Sequence, residues 1–141
     1  MMNSAGARPE GRARDDGAEQ YQPTVLLVED DEDLRFAMTR VLAGEGYRVL
    51  TAATARDALG VLRTPLSPVD VAVLDVHLPD ASGVNLFPLL RQHFPATPVI
   101  VCTGEATPEE AAELLRLGAH RYLRKPASAN ELLATVEACL P

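Results

Sequence analysis

From Thr24 onward, hydrophobic positions alternate between two rhythms. Thr24-Val25-Leu26-Leu27-Val28 is a short continuous apolar run, as expected of a strand covered on both faces. Asp33 to Leu42 then places Leu34, Ala37, Met38, Val41 and Leu42 on one helical stripe, ended by Gly44 and Gly46. Arg48-Val49-Leu50-Thr51 predicts a second strand, nearer an edge because it opens on a charged residue. Thr54 offers an N-cap hydroxyl to a helix reaching about Arg63, with Ala55, Ala58, Leu59 and Leu62 facing inward. Val69 to Leu74 predicts a third strand, and a third helix spans roughly Gly83 to His93. Pro98 to Cys102 predicts a fourth strand, with proline tolerated at its first position. Thr107-Pro108-Glu109-Glu110 is a capping box with proline at N1, opening a helix that Gly118 closes. Arg121-Tyr122-Leu123 makes a short fifth strand. Ser128 and Glu131 form a second capping box before the stripe Leu132, Leu133, Val136, Leu140.

Five strands alternating with five helices require a parallel sheet with right-handed crossovers and helices on both faces. The expected fold is therefore α/β, a single doubly wound domain. Pro88 is the discordant residue. Inside a helix it removes a backbone hydrogen bond at a cost of about 3 kcal/mol, so a bent or late-starting third helix is expected.

Length agrees with one domain, at 141 residues. Residues 1–22 depart from the pattern, with Met1, Met2 and Tyr21 as their only large apolar residues. Such a segment buries too little surface to offset its ordering entropy, so a flexible tail is expected there and the domain over 23–141. Thirteen basic and twenty acidic residues give a net charge of −7. That balance lacks the basic footprint of a phosphate-backbone binder, so direct nucleic-acid binding is not expected. No apolar run is long enough to span a bilayer, and no basic segment leads into a secretory core. Cys102 and Cys139 form neither a CxxC motif nor a metal quartet, which suits reduced thiols in a cytoplasmic protein.

In an open parallel sheet, sites form beyond the carboxyl ends of the strands. Strand one is followed there by Glu29-Asp30-Asp31-Glu32-Asp33, strand three by Asp75, strand four by Thr103, and strand five by Lys125-Pro126. If strands one and three are neighbours, they lie about 4.8 Å apart and their terminal carboxylates converge. Clustered carboxylates raise one another's pKa or recruit a cation, and a hard divalent ion such as Mg²⁺ suits them. Asp31, Glu32 and Asp33 have a plainer role available, as acids at a helix start. Lys125 is the only lysine, the twelve other basic positions being arginine, so a compact ammonium is wanted at that place. A carboxylate nucleophile, a metal pocket, a hydroxyl and an ammonium together suit phosphoryl transfer to Asp75.

Four motifs carry a resemblance. They are Val25 to Asp31, Val73-Leu74-Asp75-Val76-His77-Leu78-Pro79 with Gly83, Cys102-Thr103-Gly104, and Tyr122-Leu123-Arg124-Lys125-Pro126. In this order they resemble the receiver domain of two-component response regulators over residues 23–141. The resemblance implies a flavodoxin-like sheet of order 2-1-3-4-5. It implies Asp75 as the phosphoacceptor from a sensor histidine kinase or phosphotransfer protein. Glu29 and Asp30 would bind Mg²⁺ with Asp75 and the backbone carbonyl of His77, and Lys125 would contact the phosphoryl group. Thr103 and Tyr122 would form the switch pair, altering the surface of helix four, strand five and helix five that a protein effector reads.

A signalling switch rather than an enzyme is implied, standing alone without an output domain or excised from a larger regulator or hybrid kinase. Ala127 stands where the family often has phenylalanine, and His77 and Glu105 occupy positions that influence phosphoryl lifetime. Two other classes fit less well. An aspartyl-phosphate phosphatase uses a DxD pattern, whereas Asp75-Val76-His77 supplies histidine. A flavin carrier of similar topology needs a hydroxyl- and glycine-rich phosphate loop where this chain has Glu29 to Asp33.

Overall fold

Strands and helices alternate strictly along the chain: β1 (Thr24–Val28), α1 (Glu32–Gly44), β2 (Arg48–Ala52), α2 (Ala55–Arg63), β3 (Val71–Leu74), α3 (Gly83–His93), β4 (Val99–Thr103), α4 (Pro108–Arg116), β5 (Arg121–Arg124) and α5 (Ala129–Cys139). The computed structural model describes residues 21–63, 68–81, 83–93 and 95–141. All but the last two residues of the expected N-terminal tail lie outside the described residues. The five strands form one parallel sheet in the order β2-β1-β3-β4-β5.

Side-chain alternation along the strands divides the core in two. Leu26, Val28, Ala72, Leu74, Val99 and Val101 face α2, α3 and α4. Val25, Leu27, Val71, Val73, Ile100 and Cys102 face α1 and α5. Because both faces are covered, β1, β3 and β4 are buried along their whole length, which is why their sequences are unbroken apolar runs. β2 is a half-covered edge, in keeping with its leading arginine.

Element limits differ from the expected ones where polar groups intervene. β3 starts at Val71 rather than Val69, because Asp70 turns its carboxylate to accept the Thr24 amide at 2.8 Å. β4 extends to Thr103, so that threonine is held inside the ladder. Gly46 and Gly118 adopt φ of 95° and 107°, the left-handed region that lets the chain leave α1 and α4 without steric cost.

α3 starts at Gly83, with no delay, and passes through the exposed Pro88. Burial explains the tolerance: Leu86, Phe87 and Leu90 are at most 2% exposed. Each buried side chain contributes about 1.5–3 kcal/mol, which together exceeds the proline penalty. Phe87 has the largest stake, being wholly buried. Phe87→Ala should lower unfolding free energy by about 3–5 kcal/mol, read as a shift of the urea midpoint with an unchanged slope.

Candidate acidic site at the carboxyl edge of the sheet

Val28 and Leu74 are register partners at the ends of β1 and β3. The ladder runs one residue further: the Glu29 amide donates to the Ala52 carbonyl and the Asp75 amide to the Val28 carbonyl, both at 3.0 Å. Glu29 and Asp75 are therefore held side by side by backbone, and they are only 2% and 5% exposed. Asp30 is exposed beside them, and carboxylate oxygens of all three lie within 4.8 Å of one another.

Lys125 reaches this cluster from the end of β5. Its Nζ lies 2.6 Å from Glu29 Oε1 and 3.1 Å from Asp75 Oδ2. The other oxygens accept backbone amides: Asp31 N–H donates to Glu29 Oε2 and His77 N–H to Asp75 Oδ1, each at 3.1 Å. Burial pushes the Glu29 carboxyl up, with the Lys125 hydrogen bond offsetting part of the effect and the Asp75 charge adding to it. Burial pulls the Lys125 ammonium down, but its bonds to Glu29 and the charge of Asp75 outweigh this and hold it above the ordinary lysine value. One cation thus answers two buried anions, and the site retains an excess of negative charge. A cluster of carboxylate oxygens with that excess is the donor set a hard divalent cation such as Mg²⁺ takes, so the residues present fit the ion.

Thr103 is buried beside the lysine. Its carbonyl accepts the Lys125 amide at 3.1 Å and its Oγ1 accepts the Glu105 amide at 3.4 Å. Tyr122 pairs with Val101, two residues before Thr103, so the ring and the hydroxyl share one face of the sheet. The ring is half-buried against the core under α2, α3 and α4. The Lys125–Pro126 peptide is cis. The imidazole of His77 is exposed, with Nε2 3.6 Å from Glu110 Oε1 of the α4 capping box.

The run of five acids divides by function. Glu29 and Asp30 join the cluster, whereas Asp31 N-caps α1 through the Leu34 amide and Glu32 and Asp33 occupy its first turn. Two further residues shape the site without a sequence signal. The Arg35 guanidinium donates to the carbonyls of Glu29 at 3.0 Å and Asp30 at 3.4 Å, fixing the β1–α1 turn. Asp80, in the loop after Asp75, accepts the Ala55 and Arg56 amides at 2.9 and 3.0 Å, and these bonds hold its carboxyl below the usual range. Thr54 accepts the Asp57 amide, so α2 is capped jointly by a local hydroxyl and a distant carboxylate. Asp80→Ala should accelerate hydrogen exchange at Ala55 and Arg56 while Asp57 keeps its protection, as followed by NMR.

Comparison with known proteins bears on the family and the fold. Residues 25–137 match the family model described as the response regulator receiver domain. A putative NtrX-like response regulator of Rickettsia bellii is 32% identical over 111 residues, covering 77% of this chain and 23% of the relative. The transcriptional regulatory protein CpxR of Klebsiella pneumoniae is 37% identical over 116 residues, covering 82% of this chain and 48% of CpxR. The chain thus spans less than half the length of these curated relatives. Among solved structures, a CheY-like receiver domain protein from Methanospirillum hungatei superposes with a TM-score of 0.79 at 30% identity, covering 84% of this chain and 93% of that one.

Proposed function

Since this chain belongs to the response regulator receiver domain family, we propose that it is a switch in which Asp75 accepts a phosphoryl group from a sensor histidine kinase or phosphotransfer protein. The receiver is assigned to residues 23–141, with residues 1–22 as a tail. The observation that carries the reading is the environment of Asp75. It is a buried carboxylate with one oxygen on the Lys125 ammonium and the other on the His77 amide, beside Glu29 and Asp30.

In the transfer, an Asp75 carboxylate oxygen forms a bond to phosphorus as the bond from phosphorus to the donor imidazole nitrogen breaks. The electron pair leaves with the imidazole. Glu29, Asp30, Asp75 and the backbone carbonyl of His77 would hold Mg²⁺, which when bound neutralises charge on the transferring oxygens. Lys125 is poised to exchange its Asp75 contact for a phosphoryl oxygen. The Thr103 hydroxyl, which accepts the Glu105 amide through a lone pair, would donate its own proton to a second phosphoryl oxygen.

New charge and acceptor oxygens at Asp75 would then bias the positions of the Thr103 loop and the Tyr122 ring, a shift between two existing states. The surface built from α4, β5 and α5 carries that change to a protein effector. Direct nucleic-acid contact is not part of this reading for a chain of net charge −7. Among the described residues no helix is long and apolar enough to cross a membrane.

Intact-mass measurement after incubation with acetyl phosphate, with and without Mg²⁺, tests the proposal. One added phosphoryl group that requires Mg²⁺ is expected. Beryllofluoride should shift the amide resonances around Thr103 and Tyr122 even where the phosphoryl form is short-lived. No adduct and no beryllofluoride response together would overturn the reading.

A further inference from the structure

A second feature lies behind the lysine. A cavity of about 350 Å³ opens where α1, α5, β4 and the β5–α5 loop meet. α1 contributes Leu34 and Met38, one turn apart on the same face, and α5 contributes Leu132. Cys102 of β4 lines it, and the loop supplies Lys125, Pro126 and Ala127.

We propose that this cavity is a binding site for a small, uncharged aromatic molecule of about two rings. Size sets the upper bound. An apolar protein cavity of about 150 Å³ accommodates benzene, so this one has room for about twice that ligand, and it falls within the usual range for small-molecule pockets.

Chemistry selects the class. The walls are aliphatic side chains, a proline ring and two sulfur groups, and water needs two to four polar partners that they do not offer. The Met38 thioether is a favourable neighbour for an aromatic ring. Cys102 is 2% exposed, and burial pushes its thiol up to about 11, so it presents a neutral S–H at ordinary pH. Lys125 is the one charged residue of the lining, and its ammonium is engaged by Glu29 and Asp75. It therefore has its methylene stem to offer the cavity. Two carboxylates against one ammonium also repel an anionic ligand. Ala127, just before the N-cap of α5, contributes only a methyl group to this lining.

The proposal stands on the cavity alone and does not depend on phosphorylation. It is tested by titrating the full chain with indole, a neutral two-ring probe, while following side-chain methyl resonances by NMR. Saturable shifts are expected at Met38, Leu34 and Leu132, with the methyls of Leu59 and Leu86 in the groove between α2 and α3 unmoved. Ala127→Phe should weaken binding tenfold or more while the remaining methyl spectrum stays native, and Ala127→Leu serves the same purpose if the larger ring prevents folding. Absence of saturation, equal shifts in the α2–α3 groove, or undiminished affinity in the filled variant would each overturn the assignment.

Discussion

Asp75→Asn is expected to abolish phosphoryl labelling by acetyl phosphate altogether. The amide is nearly isosteric, but its nitrogen has no lone pair available for attack and its oxygen carries no full negative charge. Glu29 and Asp30 keep their carboxylates in the variant, so the loss isolates Asp75 as the nucleophile. The substitution also leaves the backbone frame untouched, because the Asp75 amide bonds the Val28 carbonyl whatever the side chain is. Circular dichroism should therefore match the parent protein while the mass adduct disappears. A variant labelled at the parent rate would remove Asp75 from the role of phosphoacceptor and, with it, the proposed function.

Lys125→Arg conserves charge and should nevertheless slow labelling, on the order of tenfold to a hundredfold, and blunt the beryllofluoride response at Tyr122. The lysine ammonium is a compact donor that bonds Glu29 and Asp75 from one point, at 2.6 and 3.1 Å, in a site where its side chain is 21% exposed. A guanidinium is longer and planar and donates in a fixed fork. To satisfy both carboxylates it must push back the loop that begins with Thr103 and Gly104. Gly104 lies against the base of this side chain, where a methyl built on it would be in ordinary contact, 3.4 Å from the Lys125 Cβ. Rates of labelling with acetyl phosphate, measured by intact mass on both proteins, decide the matter. Parent-like kinetics in the arginine variant would show that charge alone suffices and that the solitary lysine among thirteen basic residues has no chemical meaning.

Much of this site can be read along the chain because the fold places chemistry at strand ends. A buried parallel strand must be apolar throughout, so the first polar residue after such a run marks the carboxyl edge of the sheet. Glu29, Asp75 and Thr103 each follow this rule, whereas β5 is not an apolar run and Lys125, the residue after it, stands out instead as the only lysine. Asp31, Glu32 and Asp33 show its limit. They are chemically like Glu29 and Asp30, and only the start of α1 turns them to capping and dipole interactions.

Hydrophobic spacing and capping boxes were sufficient for the number, type and order of the elements, because these depend on local backbone preference and on which face is apolar. Strand ends also marked Glu29, Asp30, Asp75, Thr103 and Lys125, whereas Tyr122 and the His77 carbonyl entered only through the family resemblance. Contacts between distant parts of the chain required the folded molecule. Asp80 capping α2, Arg35 holding the β1–α1 turn and the single ammonium shared by Glu29 and Asp75 leave no periodic trace, because each partner alone is an ordinary surface-type residue. Pro88 is the converse case. Local preference opposes a helix there, and the burial of Leu86, Phe87 and Leu90 against the rest of the core overrides it. The cavity behind Ala127 is likewise a property of four elements meeting, for a small side chain becomes a void only when its neighbours fail to fill the space.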